Sequence, residues 1–118
     1  MKVGVVANYT KEALYINRAY LDFAGSGFEN EVGIITDPVQ TKDYDYIVLP
    51  GGKDINPVLF GISNYASHGV SSQLDNFQMD CIQMSINREK PILGICRGMQ
   101  LLYYFFQELL YDQGIEYL

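Results

Sequence analysis

Hydrophobic residues in this chain gather in short continuous runs separated by polar, glycine-rich punctuation. Residues 3–7 form an apolar, β-branched run that turns polar at Asn8, as expected of a strand buried on both faces. Residues 32–36, 46–49 and 92–95 repeat the pattern, closed by Asp37-Pro38 and Pro50-Gly51-Gly52 in the second and third cases. Between these runs the spacing lengthens to three and four. Ala13, Ile16, Ala19, Tyr20 and Phe23 predict a helix opened by Thr10 as N-cap and stopped at Gly25-Ser26-Gly27. Leu74, Phe77, Cys81 and Met84 predict a second amphipathic helix, broken by Pro91. Residues 98–113 predict a third, apolar around most of its circumference, and residues 114–118 read as one last short strand. The stretch 53–70, with Pro57, Gly61, Ser63, Asn64 and Gly69, has no period.

The order β-α-β-β-α-β-α, with buried strands, points to an α/β domain of three layers around a short parallel sheet, flavodoxin-like in kind. No repeat, linker or low-complexity segment divides the 118 residues, so one domain, 1–118, is expected.

Charge narrows the partners. Fourteen acidic residues against eight basic ones give a net charge of −6, and the basic residues are scattered. Nucleic-acid binding wants a clustered positive face, and so does an anionic membrane surface. Neither partner is expected. Two cysteines in different elements make no disulfide framework, and the first apolar run is too short for a signal peptide. A reduced, cytoplasmic setting follows as the expectation.

The chemically richest stretch is Pro91-Ile92-Leu93-Gly94-Ile95-Cys96-Arg97-Gly98-Met99-Gln100. It reads as strand, tight turn and helix around Gly-x-Cys-x-Gly, the thiol form of a nucleophile elbow. A nucleophile at such a turn sits in strained backbone, and side chains on the flanking positions would clash, which calls for Gly94 and Gly98. The turn places Cys96 at a helix N-terminus, where backbone N–H groups and the neighbouring Arg97 favour the reactive thiolate. The N–H of Arg97 points where an oxyanion would form. Position alone also allows Cys96 to be a small buried hydrophobe. Cys81, on the apolar side of its helix, reads as core.

A second stretch, Leu49-Pro50-Gly51-Gly52-Lys53-Asp54-Ile55-Asn56-Pro57-Val58-Leu59-Phe60-Gly61, follows a buried strand and lies at the same edge of the sheet. Paired glycines there let bare N–H groups approach a ligand oxygen, although Pro-Gly-Gly after a strand is by itself more often just a turn. Together the two stretches resemble the class I glutamine amidotransferase superfamily, and within it the γ-glutamyl hydrolase branch, peptidase family C26. Cys-Arg-Gly and the Pro-Gly-Gly-x-Asp extension favour that branch. The resemblance implies that Cys96 attacks a γ-glutamyl amide, of glutamine or a small γ-glutamyl substrate, and forms a glutamyl thioester. It implies an oxyanion hole from the N–H groups of Gly52 and Arg97, a pocket shaped by Gly51, a glutamyl contact from Gln100, and no metal or organic cofactor.

The sequence departs from that family in several places. The family's histidine and its acidic partner follow the nucleophile, yet only 22 residues follow Cys96 and none is histidine. The chain thus reads as the front half of the family fold. The sole histidine, His68, lies upstream and is either a loop residue near the cleft mouth or, less in keeping with the family, the base. Gln78 stands where the branch usually carries glutamate, and Gln107-Glu108 replaces a glycine turn with more helix. Strands expected beyond the elbow are missing, so a homo-oligomer, most simply a symmetric dimer, or a complementary second-half chain is the expected partner. Two other readings stand beside the hydrolase: a catalytically incomplete relative serving as a binding or assembly module, and another cysteine-elbow α/β family.

Overall fold

The computed structural model describes residues 1–9, 14–26, 30–52 and 72–112. Four parallel strands form its centre: β1 (Lys2–Val6), β4 (Glu31–Ile35), β5 (Tyr46–Leu49) and β6 (Ile92–Gly94), in the spatial order β4-β1-β5-β6. Two short strands, β2 (Asn8–Tyr9) and β3 (Leu14–Tyr15), pair antiparallel beyond the end of β1. The helices are α1 (Arg18–Ala24), α2 (Ser72–Asn87) and α3 (Arg97–Asp112), with a 3-10 helix over Pro38–Asp43.

The strand alternation sorts side chains into two cores. Val6, Ile35, Ile47 and Leu49 pack with Cys81, Ile82, Leu101 and Phe105 from α2 and α3. Val3, Val5 and Val48 pack on the other face with Ala24, Tyr20 and Leu21 around α1. Helices therefore cover both faces of a parallel sheet, which is the three-layer α/β arrangement expected from the strand and helix order. All four buried runs became strands of that sheet, and Cys81 is fully buried, as core.

The first helix differs from its expected start. It begins at Arg18, capped by Asn17, whose side chain accepts from the N–H of Ala19. Leu14 and Tyr15 are extended and paired to Asn8 and Tyr9 instead. A side-chain cap at Asn17 satisfies the first free N–H groups of the helix, and it outcompetes continuing the apolar spacing upstream. Thr10 and Ala13 lie outside the described residues, as do the aperiodic stretch 53–70 and the expected strand 114–118. The 3-10 helix was not expected. Asp37 caps it by accepting from the N–H of Val39, while Gln40 accepts from the N–H of Asp37.

The end of α2 explains how the chain reaches the Cys96 turn. At the end of α2 the N–H of Glu89 reaches the carbonyl of Ile86 and the N–H of Lys90 reaches that of Ser85. That is a Schellman closure, and Glu89 takes the left-handed φ of 56° it demands. Pro91 then opens β6. The last helix, α3, buries Gly98, Leu101 and Phe105 on its inner side and runs unbroken through Gln107 and Glu108. Among the described residues no helix is long and apolar enough to cross a membrane.

Candidate functional site

The carboxyl ends of β1, β5 and β6 converge on one place. At β6 the N–H of Ile95 donates to the carbonyl of Leu49 at 3.0 Å, which holds the end of β6 against β5. The chain then reverses into α3. The N–H of Gly98 reaches Ile95 at 2.9 Å, and the N–H of Gln100 reaches the carbonyl of Cys96 at 3.1 Å, the first turn of the helix. Cys96 is thus the cap residue between strand and helix, and it carries a left-handed φ of 50°. Few non-glycine residues adopt that conformation, at a cost of about 1–3 kcal/mol.

The flanking glycines are required by contact. A Cβ on Gly94 would stand 2.6 Å from the backbone carbon of Gly98 and 2.7 Å from the nitrogen of Met99. A Cβ on Gly98 would meet the carbonyl oxygen of Leu49 and lie 2.7 Å from its Cβ. Strand β6, strand β5 and the start of α3 approach more closely than any side chain permits. The turn they make leaves Cys96 exposed while Cys81 is enclosed, which removes the reading of Cys96 as a small core residue.

The Pro-Gly-Gly loop lies against this turn. A Cβ on Gly51 would sit 3.5 Å from the Cβ of Cys96, and a Cβ on Gly52 would sit 3.5 Å from Cδ of Arg97. Gly51 is buried and Gly52 exposed. Arg97 opens α3 with its side chain 2% exposed, running beneath Gly52. Gln100 is exposed one helical turn beyond Cys96. Five residues read from the sequence, Cys96, Gly51, Gly52, Arg97 and Gln100, therefore stand together. His68 lies outside the described residues. No group of His, Cys, Asp and Glu among the described residues could hold a metal ion.

The two cysteines differ in chemistry as well as position. Burial, and then the carboxylates of Asp80 and Asp37, push the Cys81 thiol up to about 12. It stays protonated and inert at neutral pH.

Two neighbours of the site escaped the sequence reading. Tyr20 of α1 packs on the core but brings its hydroxyl against Gly51, at the point where a Cβ on that glycine would stand. Nothing local to Tyr20 signals this, because its spacing is that of an ordinary core residue. Asn8 follows β1 and donates from Nδ2 to the carbonyl of Gly51 at 3.2 Å. A polar residue ending a buried run at the carboxyl edge of the sheet was its only signal. Gln78, at 0% exposed, donates from Nε2 to the carbonyl of Ala7 at 3.2 Å and so fixes the same strand end from α2.

Comparison with known proteins gives the same direction. A glutamine amidotransferase-like YvdE homolog of Lactococcus lactis subsp. cremoris is 43% identical over 69 residues, covering 58% of this chain and 37% of that protein. A YvdE protein of Lactococcus lactis subsp. lactis is 43% identical over 69 residues, covering 58% of this chain and 29% of its own length. A glutamine amidotransferase-like protein of Rickettsia prowazekii is 39% identical over 77 residues, covering 63% of this chain and 27% of its own. This chain thus spans less than two fifths of the length of these relatives. The Peptidase C26 family profile matches residues 31–113, which include the Pro-Gly-Gly loop, α2 and the Cys96 elbow, and the chain belongs to that family.

Proposed function

We propose that this chain carries the nucleophile and oxyanion groups of a thiol hydrolase or amidotransferase acting on γ-glutamyl amides. The observation behind this reading is the exposed Cys96, held at φ 50° between Gly94 and Gly98 and set against the Gly51–Gly52 loop. The relatives named as glutamine amidotransferase-like support the substrate class.

In this reading the Cys96 thiolate attacks the γ-carbonyl carbon. The carbonyl oxygen gains the negative charge and is met by the N–H groups of Gly52 and Arg97. Each such donor contributes roughly 10²–10³ in rate, because the charge develops only in the transition state. The C–N bond breaks as the amine takes a proton, leaving a glutamyl thioester that water or an acceptor amine then opens. Gln100, exposed on the first turn of α3, holds the glutamyl group, and Gly51 keeps the pocket floor open.

Proton transfer needs a base. The sequence holds a single histidine, His68, upstream of Cys96. That count favours a second reading, in which the chain is a catalytically incomplete relative, a binding or assembly module active only when a partner chain supplies the imidazole. The partner is a second copy or a chain completing the fold. Incubation with glutamine or γ-glutamyl-p-nitroanilide, followed by intact-mass measurement, separates the two. Turnover with a glutamyl adduct on Cys96 supports the hydrolase. Absence of both turnover and adduct, in a folded oligomer, supports the module.

A further inference from the structure

The Gly51–Gly52 peptide is flanked by two glycines, so neither of its neighbours restrains it by a side chain. Something else must set its direction. Asn8 is 3% exposed and reaches it from the end of β1, giving its Nδ2 to the Gly51 carbonyl across 43 residues of sequence. The other amide atom, Oδ1, is buried and has no hydrogen-bond partner among the described residues. It lies 3.1 Å from the point a Cβ on Gly52 would occupy. A buried polar atom without a partner costs about 1–3 kcal/mol. An apolar residue of the same shape would remove that cost but would leave the Gly51 carbonyl without the Asn8 donor, so the asparagine is held to this peptide.

Peptide planarity supplies the account. In a trans peptide the carbonyl and the following N–H point to opposite sides, and no cis bond occurs among the described residues. The Gly51 carbonyl turns inward to Asn8. The Gly52 N–H therefore points to the side of the peptide opposite the buried Asn8 amide. We propose that Asn8 is the positioning residue of the oxyanion site: by holding the Gly51 carbonyl it fixes the Gly52 N–H in its donating direction. The inference rests on the γ-glutamyl thiol reading above.

The test compares two reactions of Cys96 that differ in whether an oxyanion forms. Iodoacetamide is displaced by the thiolate, which forms an S–C bond and releases iodide with no oxyanion. A γ-glutamyl p-nitrophenyl ester is attacked at its carbonyl, passes through an oxyanion and expels p-nitrophenolate. It leaves the γ-glutamyl thioester and needs no acid for the leaving group. Wild-type protein is expected to show an acylation-to-alkylation ratio well above that of a free thiol. In Asn8→Leu, close to isosteric, and Asn8→Ala, both lacking the donor, acylation is expected to fall roughly 10–100-fold with alkylation unchanged. Equal acylation in the variants, or a parallel fall in alkylation, overturns the role of Asn8 and leaves the hydrolase reading standing. A wild-type ratio equal to that of a free thiol sinks both. Should the variants not fold, amide hydrogen exchange of the wild type decides. The Asn8 side-chain protons are expected to be protected and the Gly52 N–H unprotected, and a protected Gly52 N–H overturns the inference.

Discussion

Cys96 and Glu89 both carry left-handed backbone, at φ 50° and 56°, for different reasons. Glu89 closes a helix, a task glycine performs without strain. Glu89→Gly is expected to raise stability by about 0.5–1 kcal/mol, the left-handed penalty less the extra chain entropy of glycine, as read from urea denaturation. At Cys96 the same backbone sets an exposed thiol at the turn between β6 and α3. Cys81 supplies a prediction of the opposite kind. Its thiol is raised from an ordinary 9.0 to about 12, so above pH 9 the unfolded chain releases a proton that the folded chain keeps. The stabilising contribution is complete below pH 9 and is lost as pH climbs toward 12, with a slope of at most about 1.4 kcal/mol per pH unit. Denaturation midpoints measured between pH 8 and 11 should fall, and less so in Cys81→Ala. The inert role of Cys81 was readable from its place on an apolar helix face. The role of Asn8 was not, because its partner is 43 residues away.

At the scale of elements, the contact between α3 and β5 decides where Cys96 stands. Gly98 meets the backbone of Leu49 directly. Gly98→Ala forces the helix away from the strand and is expected to cost about 2–3 kcal/mol, together with a loss of Cys96 acylation larger than the loss of alkylation. A Gly98→Ala chain as stable as wild type in urea would show that the helix has room to spare. The glycine bracketing was legible because steric need leaves a signature in residue type. The start of α1 was not, because the apolar spacing of Ala13, Ile16, Ala19, Tyr20 and Phe23 continues past the point where Asn17 provides a cap. Ile16, upstream of that cap, packs on the core beside α1 instead of extending the helix, and Leu14 and Tyr15 pair with Asn8 and Tyr9.

At the scale of the molecule, Met99, Tyr103 and Phe106 are 60%, 46% and 45% exposed on α3. They recur at intervals of four and three, which places them on one stripe of the helix. Among the described residues β6 pairs only with β5, leaving a sheet edge beside that helix. Exposed apolar stripes and open strand edges are surfaces that proteins normally cover. We propose a symmetric dimer of this chain in solution, measured by light scattering at micromolar concentration. Phe106→Glu should shift it toward monomer without lowering helix content, and a wild-type monomer would remove this expectation.

The sequence by itself determined the strands, the class of fold and the elbow. Buried runs, helical spacing and obligatory glycines are local consequences of burial and steric limits, and each is written where it acts. Tertiary structure alone decided that the Pro-Gly-Gly loop lies against Cys96, that Tyr20 borders Gly51, and that Asn8 grips the peptide between the two glycines. Those contacts join residues on three separate strand ends and a helix. Parallel pairing brings them together, and no spacing along the chain records which distant atoms will meet.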